Sequence, residues 1–373
     1  MPELLASLLG AGHERALAAR GSLPGLALAA KNEARRSAGL PPYASVEAWL
    51  AELAPRTVCL SLLAGSGSRW LRSLEAARAR VAAGTGGSAS SLDAQASAFD
   101  PARPRGLFPV RNLLVPGGPR IAVAAYALAA VKGLGRHVLV VRGWEAEIDA
   151  EVLAPLGIGS GARAYQTQGA ELGKPLGHGD AAWQARGLWS KADYVITNFG
   201  GDANSRRTAI NSLLALDAFG APGGAGADLI IPVARIANPA YPVALDAEGI
   251  PRGFGHAKLQ GQALGGGSGY TNVGLRVYRA GALLEKVEAF RSRHWVEGSG
   301  YAIPGNDPAG HEFALDNVDA ALASEGRARI LAASLPQELT PAKSLEEVPA
   351  FEEAVAAVVA DDREEGKHGA TEY

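Results

Sequence analysis

The chain is short of cysteine, of basic excess and of long apolar runs, and each shortage excludes something. Cys59 is the only cysteine among 373 residues. No intrachain disulfide can form, a thiolate zinc site lacks ligands, and the thiol is expected to pack as a small apolar side chain. A formal net charge of −2, with 20% of residues charged, offers no basic patch to draw nucleic acid. No apolar stretch approaches the roughly 20 residues of a membrane-spanning helix. The N-terminus, where Glu3, His13 and Glu14 interrupt the leucines, makes a poor signal peptide. A cytoplasmic protein with neither nucleic-acid nor membrane partner is the expectation. The histidines show no HExxH and no paired spacing, and no GxSxG supports a serine nucleophile.

What is present is 47% hydrophobic, enough in a chain of this length for one large or two medium domains. Leu4, Leu5, Leu8, Leu9, Ala16 and Leu17 recur at helical spacing after Pro2, and a second helix is expected over 45–53, beyond the Pro41-Pro42 break. Residues 1–55 therefore read as a helical extension. Strands are expected at 57–63, 137–141, 193–198 and 229–233, and helices at 119–134, 181–191 and 205–219. Residues 71–100 read as a short helix followed by a flexible loop. The alternation argues for an α/β architecture with a mainly parallel sheet covered on both faces. Residues 239–269, rich in Gly and Pro, break the rhythm and suit antiparallel strands or a lid. A strand then a helix are expected over 274–290, with further helices at 315–324 and 346–362.

In an open α/β sheet, ligands collect beyond the carboxyl ends of the strands, which gives weight to the stretch TVCLSLLAGSGSRW, from Thr57 to Trp70. A buried strand ending at Leu63 gives way to Ala64, Gly65, Ser66, Gly67 and Ser68, whose small side chains let backbone N–H groups close around phosphate oxygens, and Arg69 adds a cationic fork. An ordinary turn would have the same composition. The loop lacks both the Walker GK[ST] and the GxGxxG endings, against an ATPase or a dehydrogenase. In RPRGLFPVRNLL, Arg103 and Arg105 read on their own as solvated surface. In GKPLGHGDAAWQA, Lys174 precedes Gly177, His178, Gly179 and Asp180 at the start of a helix, suited to an anion or a nucleobase; Asp180 is equally a good N-cap. In ITNFGGDANS, Asp202 follows a strand across Gly200 and Gly201, where a carboxylate suits either Mg²⁺ or an Asx turn. Asn272, before the strand in SGYTNVGLRVY, can bond a sugar hydroxyl but is also a commonplace loop residue.

Taken in order, these stretches resemble the sugar-phosphate nucleotidyltransferases, or nucleotide-sugar pyrophosphorylases. LLAGSGSRW is similar to that family's LAxGxGxR signature, PRGLFPVRNLL to its PKGLxPV segment, and KPLGHGDAAWQA to its PxGHGD segment. NFGGDA stands where the family carries a metal aspartate, and TNVGLRVY resembles its NxGxYxF strand. HEFALDNVDAAL resembles the ExxLTD helix, and LTPAKSLEEV the LPVKxxxDL segment of UDP-sugar pyrophosphorylases such as those of UDP-glucose and UDP-N-acetylglucosamine. The resemblance spans about residues 57–350 and departs from the family where its PKG lysine is Arg105 and where GFGHAK replaces a glutamate-bearing strand.

The resemblance implies a mixed, mainly parallel Rossmann-like sheet of the nucleotide-diphospho-sugar transferase type, a catalytic domain over 56–335 and a C-terminal helical segment and tail over 336–373. It implies transfer from a nucleoside triphosphate, UTP by the GHGD segment, to a sugar 1-phosphate, with Mg²⁺. Arg69, Arg105, Lys174 and Lys343 would act on the phosphates. Leu63, Ala64, Gly65, Ser66, Gly67, Gly177, His178, Gly179 and Asp180 would surround the nucleotide, and Asn272 and Gly201 the sugar. Asp202 would hold the metal, with Glu338 the nearest candidate for a second carboxylate. A nucleotide-sugar binding protein without turnover and a glycosyltransferase are the alternatives.

Overall fold

The computed structural model describes residues 23–64, 67–83, 91–167, 172–173, 176–220, 226–237, 239, 242–254, 268–303 and 312–366. The helix expected within residues 1–20 lies outside them. An eight-stranded sheet forms the centre: β1 (Thr57–Leu62), β2 (Arg136–Val141), β3 (Arg163–Thr167), β4 (Tyr194–Phe199), β5 (Leu229–Ala237), β6 (Ser268–Asn272), β7 (Arg276–Arg279) and β8 (Ala328–Ala332). β3, β2, β1 and β4 lie side by side and parallel. β7 joins β4 in the antiparallel sense and β5 lies antiparallel beyond it. β6 and β7 run one after the other along one edge of β5, and β8 lies parallel along the other edge.

The main helices are α1 (Leu23–Ser37), α2 (Val46–Leu53), α3 (Ser68–Ala82), α4 (Ser91–Ala98), α5 (Val123–Val131), α6 (His178–Gln184), α7 (Arg206–Phe219), α8 (Ala280–His294), α9 (Leu315–Ser324) and α10 (Val348–Gly366). Side chains alternate between the two faces of the sheet, as the pleat requires. On β1, Val58, Leu60 and Leu62 join Ala181, Leu283 and Leu322 of α6, α8 and α9 in one core. Cys59 faces the opposite layer with Leu213 of α7 and Trp49 of α2, while Leu139 and Val141 of β2 meet Trp70, Leu128 and Phe351 of α3, α5 and α10. With both faces covered, a β1 that is buried throughout is what the physics demands. Cys59 is fully buried, and burial pushes its thiol up to about 12.

Three segments differ from the sequence expectation. α3 runs through Ala82, and α4 forms where a loop was expected; α4 buries only Ala96, so its apolar signal is faint. β3, with the sequence RAYQT at the sheet's margin, lacks the apolar run of a central strand. The stretch 239–269 does contribute antiparallel strands, the pair Val243–Leu245 and Pro251–Phe254 as well as β6; residues 255–267 lie outside the described residues.

α1 and α2 are bound to the sheet domain through α7. Asp217, near the C-terminal end of α7, accepts hydrogen bonds from Trp49 Nε1 (2.8 Å) and Tyr194 Oη (2.5 Å) and an ion pair from Lys31 (2.8 Å). Burial works against its charge, but these donors hold the carboxyl below the usual range. At the other end of α7, the N-cap Ser205 accepts from the Arg207 amide (3.1 Å) and donates from Oγ to Asp362 (2.8 Å), an α10 carboxylate that also accepts from the Arg206 amide (3.1 Å). Among the described residues no helix is long and apolar enough to cross a membrane.

Candidate functional site

Leu62, the last residue of β1, lies level with Val140 of β2 and Phe199 of β4, so the loops leaving three parallel strands emerge together. β7, antiparallel, enters from the same end. A cleft of about 590 Å³ opens there, where the topology of an open α/β sheet directs a ligand. Its walls contain Leu63, Ala64, Gly67, Arg69, Arg105, Gly177, His178, Asp202, Asn272, Glu338 and Lys343, so segments distant in sequence meet in one place. Gly65, Ser66 and Lys174 lie outside the described residues.

Arg69 sits in the first turn of α3, half exposed, with Glu347 3.9 Å away. Arg105 follows Pro104 in a single 3₁₀ turn, its carbonyl accepting the Phe108 amide (2.9 Å), and its guanidinium makes no hydrogen bond or ion pair among the described residues. Gly201 explains how it fits: a Cβ there would stand 2.6 Å from Arg105 Nη2. The Lys343 segment is held at the same point, because the Ala342 amide donates to the Gly201 carbonyl (2.9 Å). Burial lowers the proton affinity of both Arg105 and Lys343, and Asp202 partly offsets this for each.

Asp202 lies in the tight turn after β4, where its amide bonds the Phe199 carbonyl (3.1 Å). Its carboxylate rests on Gly274, which has φ +86° and whose notional Cβ would come within 2.0 Å of Asp202 Oδ2. Burial pushes the Asp202 carboxyl up to about 6 against the opposing charges of Lys343, Arg105 and Arg276. Oδ2 is buried without a hydrogen-bond partner among the described residues, which is the kind of oxygen a hard cation takes. Among those residues, no group of three His, Cys, Asp or Glu side chains is placed to hold a metal. Were a divalent cation to bind here, Asp202 would be the carboxylate to hold it, in a cleft that Arg69, Arg105 and Lys343 share with Glu312, Asp316 and Glu338.

The cleft floor holds a residue that the sequence reading passed over. Arg276 of β7 is 2% exposed and donates to Asp319 Oδ2 (2.6 Å) and Asp316 Oδ1 (3.0 Å). Burial alone would lower its pKa, but Asp319 and Asp316 outweigh it and raise it, so the guanidinium stays charged. Asp316 also faces His178, whose Nε2 lies 3.5 Å from Oδ2. His178 Nδ1 accepts the Leu315 amide (2.8 Å), so the neutral ring carries its proton on Nε2. Signals for Arg276 existed in the chain: a charge within a strand otherwise buried, and aspartates three apart on the next helix but one.

Other expected site residues have different occupations. Asp180 is fully buried and bonds Tyr301 Oη (2.8 Å) and Gln184 Nε2 (2.6 Å), with Arg291 3.5 Å away; it holds the layer behind the cleft rather than lining it. Gly179 packs under Phe313, whose ring leaves no room for a Cβ (2.8 Å), and Gly177, at φ +93°, would place a Cβ 2.3 Å from the Phe313 carbonyl. Their small size serves this close approach. Glu338 borders the cleft, but its carboxylate accepts from the Ser205 amide (2.9 Å), Thr208 Oγ1 (2.7 Å) and the Leu335 amide (3.2 Å). Both of its oxygens thereby anchor the start of α7. Asn272 lines the cleft and closes an Asx turn, its Oδ1 accepting from the Gly274 amide (3.2 Å). No protein-family model matches this chain, and no curated protein matches its sequence.

Proposed function

We propose that this protein is a Mg²⁺-dependent nucleotidyltransferase that joins a sugar 1-phosphate to a nucleoside triphosphate, UTP by preference, and releases pyrophosphate. One observation carries the reading: Arg69, Arg105 and Lys343 border a cleft with Asp202, whose Oδ2 has no hydrogen-bond partner among the described residues. A phosphate oxygen of the sugar 1-phosphate attacks the α-phosphorus, the bond from that phosphorus to the β-bridging oxygen breaks, and pyrophosphate departs with the electron pair. Such a reaction asks little covalent work of the protein and much positioning and charge neutralisation. Arg105 and Lys343, whose proton affinity burial has lowered, gain most from an incoming phosphate. Arg69, more exposed, meets the triphosphate at the cleft mouth. Mg²⁺, when bound at Asp202, would supply further neutralisation of phosphate charge. Asn272, Thr271 and His178 offer hydrogen bonds to the sugar and the base. The ordered resemblance to nucleotide-sugar pyrophosphorylases supports the same chemistry.

The test is a pyrophosphate-release assay that crosses the common nucleoside triphosphates with a panel of sugar 1-phosphates in Mg²⁺. Release with UTP and at least one sugar phosphate is expected; no release across the whole panel would sink the proposal. The engagement of Glu338 with α7 favours a second reading, a nucleotide-sugar binding protein without turnover. Calorimetric binding of nucleotide in the absence of any release would select it.

A further inference from the structure

A second cavity, of about 350 Å³, shares Leu63, Ala64 and Arg105 with the cleft and extends between the loop after β2 and the Pro101–Arg105 segment. Three arginines line it, Arg103, Arg105 and Arg142, and among the described residues it has no acidic lining. Among the described residues only Arg103 of the three forms an ion pair, with both oxygens of Glu151 (2.6 and 2.7 Å). Arg142 donates to a neutral backbone carbonyl, that of Gly173 (3.1 Å). Two more N–H groups on its lining side chains, Trp70 Nε1 and Arg103 Nε, are buried without an acceptor among the described residues. The wall is therefore rich in donors and positive charge and short of acceptors.

The same wall contains the one non-glycine residue with positive φ among the described residues, Trp144 at +67°, directly after Gly143 at +84°. A bulky side chain in the left-handed region is uncommon, and such strain concentrates where a ligand is gripped. Here it sets an indole, with the Arg103 guanidinium 5.9 Å from its ring centre, in one cavity wall with Arg105 and Arg142 at the carboxyl end of β2, on the edge where α/β sheets gather ligands.

We propose that this cavity is a second binding site, for a small organic phosphate that carries a flat ring. The ring stacks on Trp144 and the phosphate is drawn to Arg142 and Arg105. The site is independent of the nucleotidyl-transfer reading, since its ligand need not be a substrate. Because Arg105, Leu63 and Ala64 belong to both cavities, an occupant here and an occupant of the cleft alter each other's affinity by the same factor.

The test is calorimetric titration of the full chain with 1-naphthyl phosphate and, separately, with inorganic phosphate. Trp144→Gly suits the existing backbone, because glycine adopts positive φ freely, and Arg142→Gln changes an exposed side chain, so both variants should fold. Lys343→Gln reports on the cleft. One site for 1-naphthyl phosphate is expected in the wild type and in Lys343→Gln, weakened at least about tenfold by Trp144→Gly and by Arg142→Gln, with inorganic phosphate at least about tenfold weaker than the naphthyl ester. No binding by the wild type, undiminished binding by either pocket variant, loss in Lys343→Gln, or equal binding of inorganic phosphate would each overturn the proposal.

Discussion

Gly274→Ala tests the centre of the cleft with a single methyl group. The new Cβ would stand 2.0 Å from Asp202 Oδ2, whereas a carbon and an oxygen in contact keep about 3.3–3.6 Å apart. The carboxylate must therefore move by more than about 1 Å, and a misplacement of that size in a positioning site costs on the order of 100-fold in rate. Alanine at φ +86° adds a backbone penalty of about 1–2 kcal/mol. Gly39→Ala separates the two effects, since Gly39 has φ +72° and nothing within 4 Å of its notional Cβ. Gly39→Ala should lose about 1–2 kcal/mol in urea unfolding and Gly274→Ala at least as much. Only Gly274→Ala should lose about 100-fold in kcat for pyrophosphate release. A Gly274→Ala enzyme within about threefold of wild-type kcat would show that Asp202 has no positioning role in the reaction.

Asp202→Asn should abolish turnover while leaving the unfolding midpoint unchanged or slightly raised, because burial already disfavours the charged carboxyl; near-normal turnover in Mg²⁺ would remove the metal assignment. Arg105→Lys keeps the charge but not the two-pronged fork, and kcat/KM for the triphosphate should fall by about 10- to 100-fold, whereas an unchanged value would make Arg105 a bystander. Burial drives His137 from 6.5 down to about 4, so the folded state keeps the ring neutral. Its contribution is complete above pH 6.5 and is lost as pH falls toward 4, by up to about 3 kcal/mol. Urea midpoints of wild type and His137→Gln at pH 7 and pH 4.5 should show a smaller acid loss in the variant, and equal losses would discount the histidine. Asp217→Ala leaves the buried Trp49 and Tyr194 donors unpaired and should cost about 2–5 kcal/mol in the same assay; a loss below about 1 kcal/mol would mean that water replaces the carboxylate.

Much of the fold was legible because its central strands are apolar and its loops are small and polar. Thr57–Leu62 announces β1, and the helices expected over 45–53 and 205–219 form as α2 and α7, capped by Ser45 and Ser205. β3 and α4 were not legible, since a marginal strand and a helix that buries one alanine carry little periodicity. Most of the described residues expected at the site do line the cleft. The roles of Asp180 and Glu338 did not follow, because the partners that occupy them, Tyr301 and Thr208, lie 121 and 130 residues away. A carboxylate next to a glycine reads the same whether it faces a ligand or a tyrosine hydroxyl.

α7 is held at both ends by buried carboxylates, Asp217 toward its C-terminus and Glu338 with Asp362 at its start. The Ser205 cap that the latter pair grips lies three residues beyond Asp202 in the chain. The helix thus spans from the α1–α2 extension, at Trp49, to a start that Glu338 of the cleft lining anchors. Extension and cleft are therefore expected to open together, with one shared opening free energy in native-state hydrogen exchange rather than two separate ones.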